Sequence, residues 1–285
     1  MIELIRTLPE GERVCGVTTL DGKIYVLRWR GKEHVEEYDS VTFTVERCLD
    51  VPDLRLRGFT DMTVCAHNRC LYIGDDIGEC VHRVELNGEC TKWPVRDKPA
   101  SLSVNASHNV LVSCKALHKV KEFSSHGDLL QDIGIGEITL PDEVTNPWHS
   151  MQLPSSGELI VCHGEVGDVT NRVCKITADG RDIVQSNGGP PGSGTDQFKV
   201  PRHVAIDYDN EFVFVADQDN RRVKLLSPTL TRLYDAVSRD HFKWGPTALC
   251  LDAVNQRLYV SDSEIKEDEP ASTGRVLVFN MYKDY

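Results

Sequence analysis

The sequence predicts an all-β fold, a six-bladed β-propeller made of four-stranded antiparallel blades. One pattern recurs along the chain: an apolar strand, a polar turn, a second apolar strand that ends in a small or acidic residue, and a polar loop before a third strand. These strands are rich in β-branched and aromatic residues and show no sustained helical periodicity. The second strands align on Tyr25, Tyr72, Leu111, Ile160, Phe214 and Tyr259. Their mean spacing of about 47 residues suits a propeller blade and is too long for a tetratricopeptide or ankyrin repeat.

Each repeat also needs a fourth, outer strand. Candidate outer strands follow the first five repeats at residues 43–51, 90–96, 129–136, 182–186 and 231–237. The sixth repeat has none, whereas residues 2–7 precede the first repeat without a blade of their own. We therefore expect residues 2–7 to supply the outer strand of the last blade, which joins the two ends of the chain and removes an exposed sheet edge.

The whole chain, residues 1–285, is thus expected to form a single propeller domain. The predicted blades cover approximately residues 10–52, 57–97, 98–137, 145–187, 198–238 and 244–285, the last together with 2–7.

The composition is that of a soluble globular protein with an acidic surface. Lys and Arg total 32 and Asp and Glu total 44, which gives a net charge of −12. This balance disfavours non-specific attraction to nucleic acid or anionic lipid. The sequence shows neither the long apolar core of a secretory signal nor a run long enough for a membrane helix, so we expect a cytoplasmic protein without a membrane partner, and a monomer as an isolated domain.

The ten cysteines are predicted to be reduced and structural. Most of them lie inside apolar strands, where a free thiol behaves as a small hydrophobic group, and no CxxC motif is present. The spacing of Cys65, Cys70 and Cys80 fits no strong zinc pattern. No cofactor is expected.

Residues 188–228 resemble an NHL repeat. The matching residues are Gly192, Gly194, Gln197, Phe198, Pro201, Val204 to Asp207, Val215, Ala216, Asp217, Asn220 and Arg221. The fourth and sixth repeats share fewer of these signature residues, and the first three keep mainly the rhythm. The resemblance implies an NHL-type β-propeller, like the NHL domains of tripartite-motif proteins. The expected function is a non-catalytic interaction module of a larger multidomain protein that binds a protein or peptide partner.

The loops between the second and third strands should crowd one face of such a propeller. Candidate partner-binding residues in and beside these loops are Arg28, Trp29, Arg30, Lys32, Lys115, His118, Lys119 and Arg222. Acidic residues are interspersed among them, which favours a protein or peptide over RNA. RNA remains an alternative, because some NHL domains bind RNA on this face and Trp29 between two arginines suits base stacking beside phosphate contacts. Asp217 and Arg221 are expected to pair within their blade.

A second set of polar residues is expected at the central channel. Aligning the segments PWH and PRH places His149 and His203 at equivalent positions, with Asp61, Ser101 and Thr247 as their counterparts in other blades. Two imidazoles and a carboxylate could ligate zinc or a similar ion. The alternative function is thus a metal-dependent propeller enzyme like the lactonases and the peptide-amidating lyases. The histidines could equally bond backbone carbonyls, and no catalytic residues are assigned, because neither a nucleophile motif nor a phosphate-binding loop is present.

Overall fold

The computed structural model describes residues 2–29, 33–57, 60–135, 146–264 and 272–282. The chain begins with β1 (Ile2–Thr7), and blade 1 follows as β2 (Gly11–Leu20), β3 (Lys23–Trp29), β4 (His34–Asp39) and β5 (Val45–Asp50). Blade 2 consists of β6 (Met62–Cys65), β7 (Cys70–Asp75), β8 (Cys80–Glu85) and β9 (Cys90–Pro94). Blade 3 consists of β10 (Pro99–Val104), β11 (Val110–Cys114), β12 (Lys119–Phe123) and β13 (Leu129–Gly134).

Blade 4 consists of β14 (Pro147–Gln152), β15 (Leu159–His163), β16 (Asn171–Ile176) and β17 (Ile183–Gly189). Blade 5 consists of β18 (Pro201–Asp207), β19 (Phe212–Asp217), β20 (Arg222–Leu226) and β21 (Arg232–Val237). A short 3-10 turn, Arg239–His241, leads to β22 (Pro246–Asp252), β23 (Arg257–Ser263) and β24 (Thr273–Met281) of blade 6. Within these ranges no helix is long and apolar enough to cross a membrane.

The two ends of the chain meet in blade 6, as predicted. β1 pairs antiparallel with β24, from Ile2 opposite Met281 to Thr7 opposite Leu277. The start of β2 also pairs with β24, through Gly11 opposite Gly274, so blades 6 and 1 join into one eight-stranded sheet. The sequence did not predict this second connection. Blades 2 to 5 are separate four-stranded sheets.

The apolar core lies between neighbouring blades. Each adjacent pair shares one buried cluster, for example Leu27 of blade 1 with Leu71 of blade 2, and Phe214 of blade 5 with Leu258 of blade 6. All six positions used to align the second strands are buried. A propeller requires this arrangement, because each twisted sheet must bury both of its faces against neighbours.

All ten cysteines lie in the described segments and are free thiols. The three cysteines whose spacing was compared with zinc patterns, Cys65, Cys70 and Cys80, do not all lie together. Cys65 lies opposite Cys70 at one end of β7, whereas Cys80 lies opposite Asp75 at the other end.

Candidate functional site

The mouth of the central channel is shaped by a β-bulge near the start of the inner strands. In blade 5, Pro201 lies opposite Asp217 and His203 opposite Ala216, so Arg202 between them is the bulged residue. Four other inner strands carry the same irregularity, and the bulged residues are Cys15, Ala100, Trp148, Arg202 and Thr247. All five line a small cavity of about 40 Å³ at the channel mouth. Bulges of this kind re-aim side chains.

Two arginines give the mouth a cationic character. Arg13 and Arg202 both line it, and the Arg202 guanidinium carbon lies 3.7 Å from the ring centroid of Trp148. Burial lowers the pKa of Arg202 to about 9. Sequence reasoning missed this pair, because neither arginine lies in a predicted loop.

The layer below the mouth holds the predicted channel residues. Asp61, Ser101, His149 and His203 occupy equivalent positions in blades 2 to 5. In blade 6 the sequence alignment placed Thr247 there, but this assignment was wrong by one residue. Thr247 is the bulged residue, and Ala248 takes the equivalent position opposite Ser261.

Asp61, His149 and His203 converge on one point. Asp61 Oδ2 lies 3.3 Å from His203 Nε2 and 3.7 Å from His149 Nε2, and all three residues are buried. The carboxylate also accepts backbone N–H bonds from Met62 and from Leu102 of the next blade. A Cβ on Gly16, the equivalent residue of blade 1, would lie 2.7 Å from Met62 N and 3.2 Å from Asp61 Oδ1, so glycine is needed for this approach.

The two histidines are stacked rather than splayed. Their ring centroids are 3.6 Å apart and their planes differ by 26°. Burial lowers the pKa of His149 well below its usual range, and the adjacent His203 lowers it further. A neutral imidazole can bind a metal or accept a proton, so the group is chemically competent for either.

A larger chamber of about 260 Å³ opens on the other side of this cluster. Both His149 and His203 contribute to its wall, and most of the remaining wall is apolar, with Met62, Leu102 and Ile206 among its residues. The polar cluster thus separates the cationic mouth from an apolar chamber.

The loops between second and third strands lie on the same face as the mouth, because the end of each second strand pairs with the start of an inner strand. We call this side the loop face. Two of the predicted partner-binding residues are instead buried, because β3 continues through Trp29 and places them between blades. Trp29 packs in the core shared with blade 2, and Arg28 lies against the start of β24. Arg28 is 2% exposed and Trp29 is 7% exposed. The expectation that they are accessible is therefore corrected, whereas Arg30 and Lys32 lie outside the described residues.

The other predicted basic residues have partners within the chain. Lys115 Nζ lies 2.8 Å from Glu165 Oε1 in the next blade, and Lys119 Nζ lies 3.0 Å from Asp132 Oδ1. His118 Nδ1 accepts a hydrogen bond from the Asn146 backbone N–H.

Asp217 pairs with Arg222 rather than with Arg221, the residue expected from the sequence. The Arg222 Nε lies 2.8 Å from Asp217 Oδ2, and Asn220 donates to the same oxygen. The pairing follows from register, because Arg222 lies directly opposite Asp217 whereas Arg221 is in the turn, with a φ of 54°.

Sequence reasoning also missed a group of exposed apolar side chains on the loop face. We call it the apolar arc, and it consists of Ile77, Leu117, Val166 and Val169, exposed by 45%, 44%, 75% and 82%. These residues belong to the second-to-third-strand loops of blades 2, 3 and 4, which are neighbours in the ring. The signal was present in the sequence as apolar residues between charged ones, but loops have no periodicity that would mark them.

No protein-family model matches the chain. Over 136 residues it is 27% identical to NHL repeat-containing protein 3 from Homo sapiens and 28% identical to the protein of the same name from Mus musculus. Each match covers 46% of this chain and 38% of the relative, well under half of the relative's length. The chain is thus distantly homologous to these NHL repeat-containing proteins.

Solved structures share the fold at low sequence identity. Virginiamycin B lyase from Staphylococcus aureus superposes with a TM-score of 0.63 and 9% identity over 99% of both chains. A streptogramin B lyase gives 0.60 and 10% over 98% of this chain and 97% of its own. Hydrazine synthase from Kuenenia stuttgartiensis gives 0.60 and 13% over 87% and 92%. At these identities the similarity shows the propeller fold alone.

Proposed function

We propose that this propeller is a non-catalytic interaction module that binds a protein or peptide partner on its loop face. The observation that carries the proposal is the apolar arc. Its four side chains lie in the loops of three neighbouring blades, and exposed apolar surface gathered on one side of a soluble protein is typical of an interaction site. Lys115, His118 and Lys119 border Leu117 in blade 3 and would form the polar rim of the contact.

The ion pairs favour a peptide over RNA as the partner. Lys115, Lys119 and Arg222 each lie beside a carboxylate of this chain. A phosphate backbone would have to compete with these carboxylates, whereas apolar side chains of a peptide gain free energy directly from covering the arc.

A display library of random peptides tests the proposal. Peptides selected on the wild-type protein should contain apolar side chains and should bind the double variant Leu117→Asp/Val166→Asp at least tenfold more weakly. The expected loss follows because burying a Leu or Val side chain contributes roughly 1.5–3 kcal/mol and a carboxylate on the arc opposes burial. Both positions are exposed loop residues, so the fold should be unaffected.

Val254→Asp is the matched control. Val254 is 93% exposed and lies in the turn between β22 and β23, on the face opposite the arc. The loop-face assignment would be refuted by selected peptides that bind the arc variant as strongly as the wild type but bind Val254→Asp more weakly. RNA would be favoured as the partner if the protein bound single-stranded RNA with submicromolar affinity, if this affinity fell steeply with salt, and if the arc variant bound RNA as well as the wild type.

A second candidate function is a metal-dependent hydrolase or lyase reaction in the channel. The observation that favours it is the convergence of Asp61, His149 and His203 beside an apolar chamber. A metal there would be held by these three side chains and would supply Lewis-acid activation of a bound substrate. Near-parallel stacking of the imidazoles, however, suits a shared hydrogen bond to Asp61 better than convergence on a tetrahedral ion. This candidate therefore ranks second.

Metal analysis of the tag-free protein decides this candidate. A zinc content that falls by one ion per chain in His149→Gln/His203→Gln would establish the channel site. The same zinc content in that variant as in the wild type, or no binding of Zn²⁺ by the wild type, would eliminate it.

A further inference from the structure

We propose that Asp75, Cys80 and His82 form a second and separate metal site in blade 2, suited to Zn²⁺. All three residues are buried, and each offers a ligand atom within 4.8 Å of the other two. The site is independent of the interaction proposed for the loop face.

The spacing of the ligand atoms suits a tetrahedral ion. His82 Nε2 lies 3.3 Å from Asp75 Oδ2 and 3.6 Å from Cys80 Sγ. Tetrahedral Zn²⁺ with bonds of about 2.0–2.3 Å keeps its nitrogen, oxygen and sulfur ligands roughly 3.3–3.7 Å apart. A thiolate and an imidazole on one ion also select zinc over magnesium or calcium.

Two other blades hold an arginine beside the aspartate at this position. Asp217 is the last residue of the second strand in blade 5, as Asp75 is in blade 2, and Asp262 is the last but one in blade 6. The residue directly opposite is Arg222 in blade 5 and Arg275 in blade 6, and each guanidinium lies 2.8 or 2.9 Å from its aspartate.

In blade 2 the residue opposite Asp75 is Cys80, which carries no positive charge as a thiol. The side chain beside the carboxylate is instead the buried His82, whose Nε2–H can donate to Asp75 Oδ2 when no metal is bound. That hydrogen bond does not replace the fixed charge of an arginine, so the loss of this charge has to be compensated. A divalent cation bound by Asp75, Cys80 and the adjacent His82 compensates it and uses all three side chains.

The surroundings hold the ligands in place. Cys90 Sγ lies 3.7 Å from His82 Nδ1, where it can accept the N–H of that nitrogen and leave Nε2 free to bind a metal. Backbone N–H groups of Arg55 and Ile77 donate to the Asp75 carboxylate at 3.2 and 3.1 Å. An ion here would therefore tie the segment that enters blade 2 to the loop that follows β7.

Blade 4 provides a matched control. Cys174 Sγ lies 3.6 Å from His163 Nε2, the same separation as in the Cys80–His82 pair, and both residues are buried. Among the described residues, no carboxylate completes a metal-binding group around this pair. Cys174→Ser should therefore leave metal binding unchanged.

The experiment measures metal binding to the tag-free protein in four forms: wild type, Cys80→Ser, Cys174→Ser and His149→Gln/His203→Gln. After equilibration with Zn²⁺ and dialysis, the wild type should retain the ion at this site. Cys80→Ser should lose it, with an affinity loss of about 100-fold or more, because even second-shell changes cost 10–100-fold. Cys174→Ser and the channel variant should retain it. Co²⁺ in the wild type should give a thiolate-to-cobalt charge-transfer band that Cys80→Ser removes.

The experiment distinguishes the blade 2 site from the channel residues even if Cys80→Ser folds poorly. The cobalt spectrum of the wild type alone shows whether sulfur coordinates the metal. Absence of a bound ion in the wild type after exposure to Zn²⁺ overturns the proposal. Loss of the only ion in the channel variant, or a cobalt spectrum without a thiolate band, assigns the metal to His149 and His203 and also overturns it.

Discussion

The buried Arg28 forms an ion pair with the partly exposed Glu36 in blade 1, with Arg28 Nε 2.8 Å from Glu36 Oε2. The remaining N–H groups of the guanidinium donate to the carbonyls of Glu12, Gly274 and Pro9 at 2.8, 3.0 and 3.1 Å. Arg28 thereby joins blade 1, the start of β24 and the segment after β1. Its position is explained by ring closure rather than by contact with a partner.

Arg28→Ala should destabilise the fold strongly. The substitution removes the donor from three carbonyls and the countercharge from Glu36, whose carboxylate keeps the bond from the Tyr38 hydroxyl. Removal of one partner of a largely buried pair costs about 3 kcal/mol. Lys92→Ala is the control, since the side chains of Lys92 and its partner Asp53 are 48% and 79% exposed and the expected loss is below about 1 kcal/mol. Urea unfolding measures both, and equal losses in the two variants would show that Arg28 does not hold the ring.

Arg222→Ala should destabilise blade 5, whereas Arg221→Ala should not. Asp217 is buried and accepts bonds from the Lys199 backbone, Asn220 and Arg222 at 2.7, 2.8 and 2.8 Å. Without Arg222 its carboxylate loses the countercharge, at an expected cost of about 3 kcal/mol. Arg221 lies in the turn, and the expected change is within about 0.5 kcal/mol. A larger loss of stability for Arg221→Ala than for Arg222→Ala in thermal or urea unfolding would indicate that Asp217 pairs with Arg221, as predicted from the sequence.

Removal of residues 1–7 should lower thermal stability and promote self-association. β1 covers the outer edge of β24, an apolar strand, and an uncovered edge of this kind pairs readily with other chains. We expect a decrease in Tm of roughly 5–10 °C, which corresponds to a few kcal/mol in a domain of this size. Light scattering after size-exclusion chromatography measures the association.

The substitution Glu3→Gln serves as the control for this deletion, because it keeps the strand and alters only an exposed side chain that accepts a bond from Tyr282. A truncated protein with the melting temperature and mass of the Glu3→Gln variant would show that β1 is dispensable for closure.

Strand order and ring closure could be predicted because their signal is local and repeated. Alternating apolar residues mark each strand, and a missing outer strand in the last repeat has a single candidate at residues 2–7. The eight-stranded join of blades 6 and 1 could not be predicted in this way. It depends on the pairing of Gly11 and Glu12 with the start of β24, and these two residues carry no apolar pattern.

The channel cluster was partly predictable and the loop face was not. Aligning two similar segments placed His149 beside His203, because equivalent residues of neighbouring inner strands must meet at the axis. Arg28 was misjudged because a charged residue at the end of a strand gives no sign of whether it points inward. Its burial depends on carbonyls from Gly274, which is remote in the sequence.

The stability of the protein should fall in acid through His163. This side chain is fully buried at the end of β15. Burial, together with the nearby charge of Arg172, lowers the pKa of His163 from 6.5 to about 4. The unfolded chain therefore binds a proton below about pH 6.5 that the folded chain excludes until about pH 4. The stabilisation is complete above pH 6.5 and is lost progressively between pH 6.5 and 4, by up to about 3 kcal/mol.

His163→Gln should flatten this pH dependence, because glutamine does not titrate in either state. The measurement is the free energy of unfolding in urea at several pH values between 4 and 7, and the difference between variant and wild type should shrink as the pH falls. His126→Gln is the control, since His126 is exposed in the turn between β12 and β13 and should leave the slope unchanged. Parallel curves for the wild type and His163→Gln would mean that His163 binds its proton equally well in the folded and unfolded chains, and that its burial has no influence on acid stability.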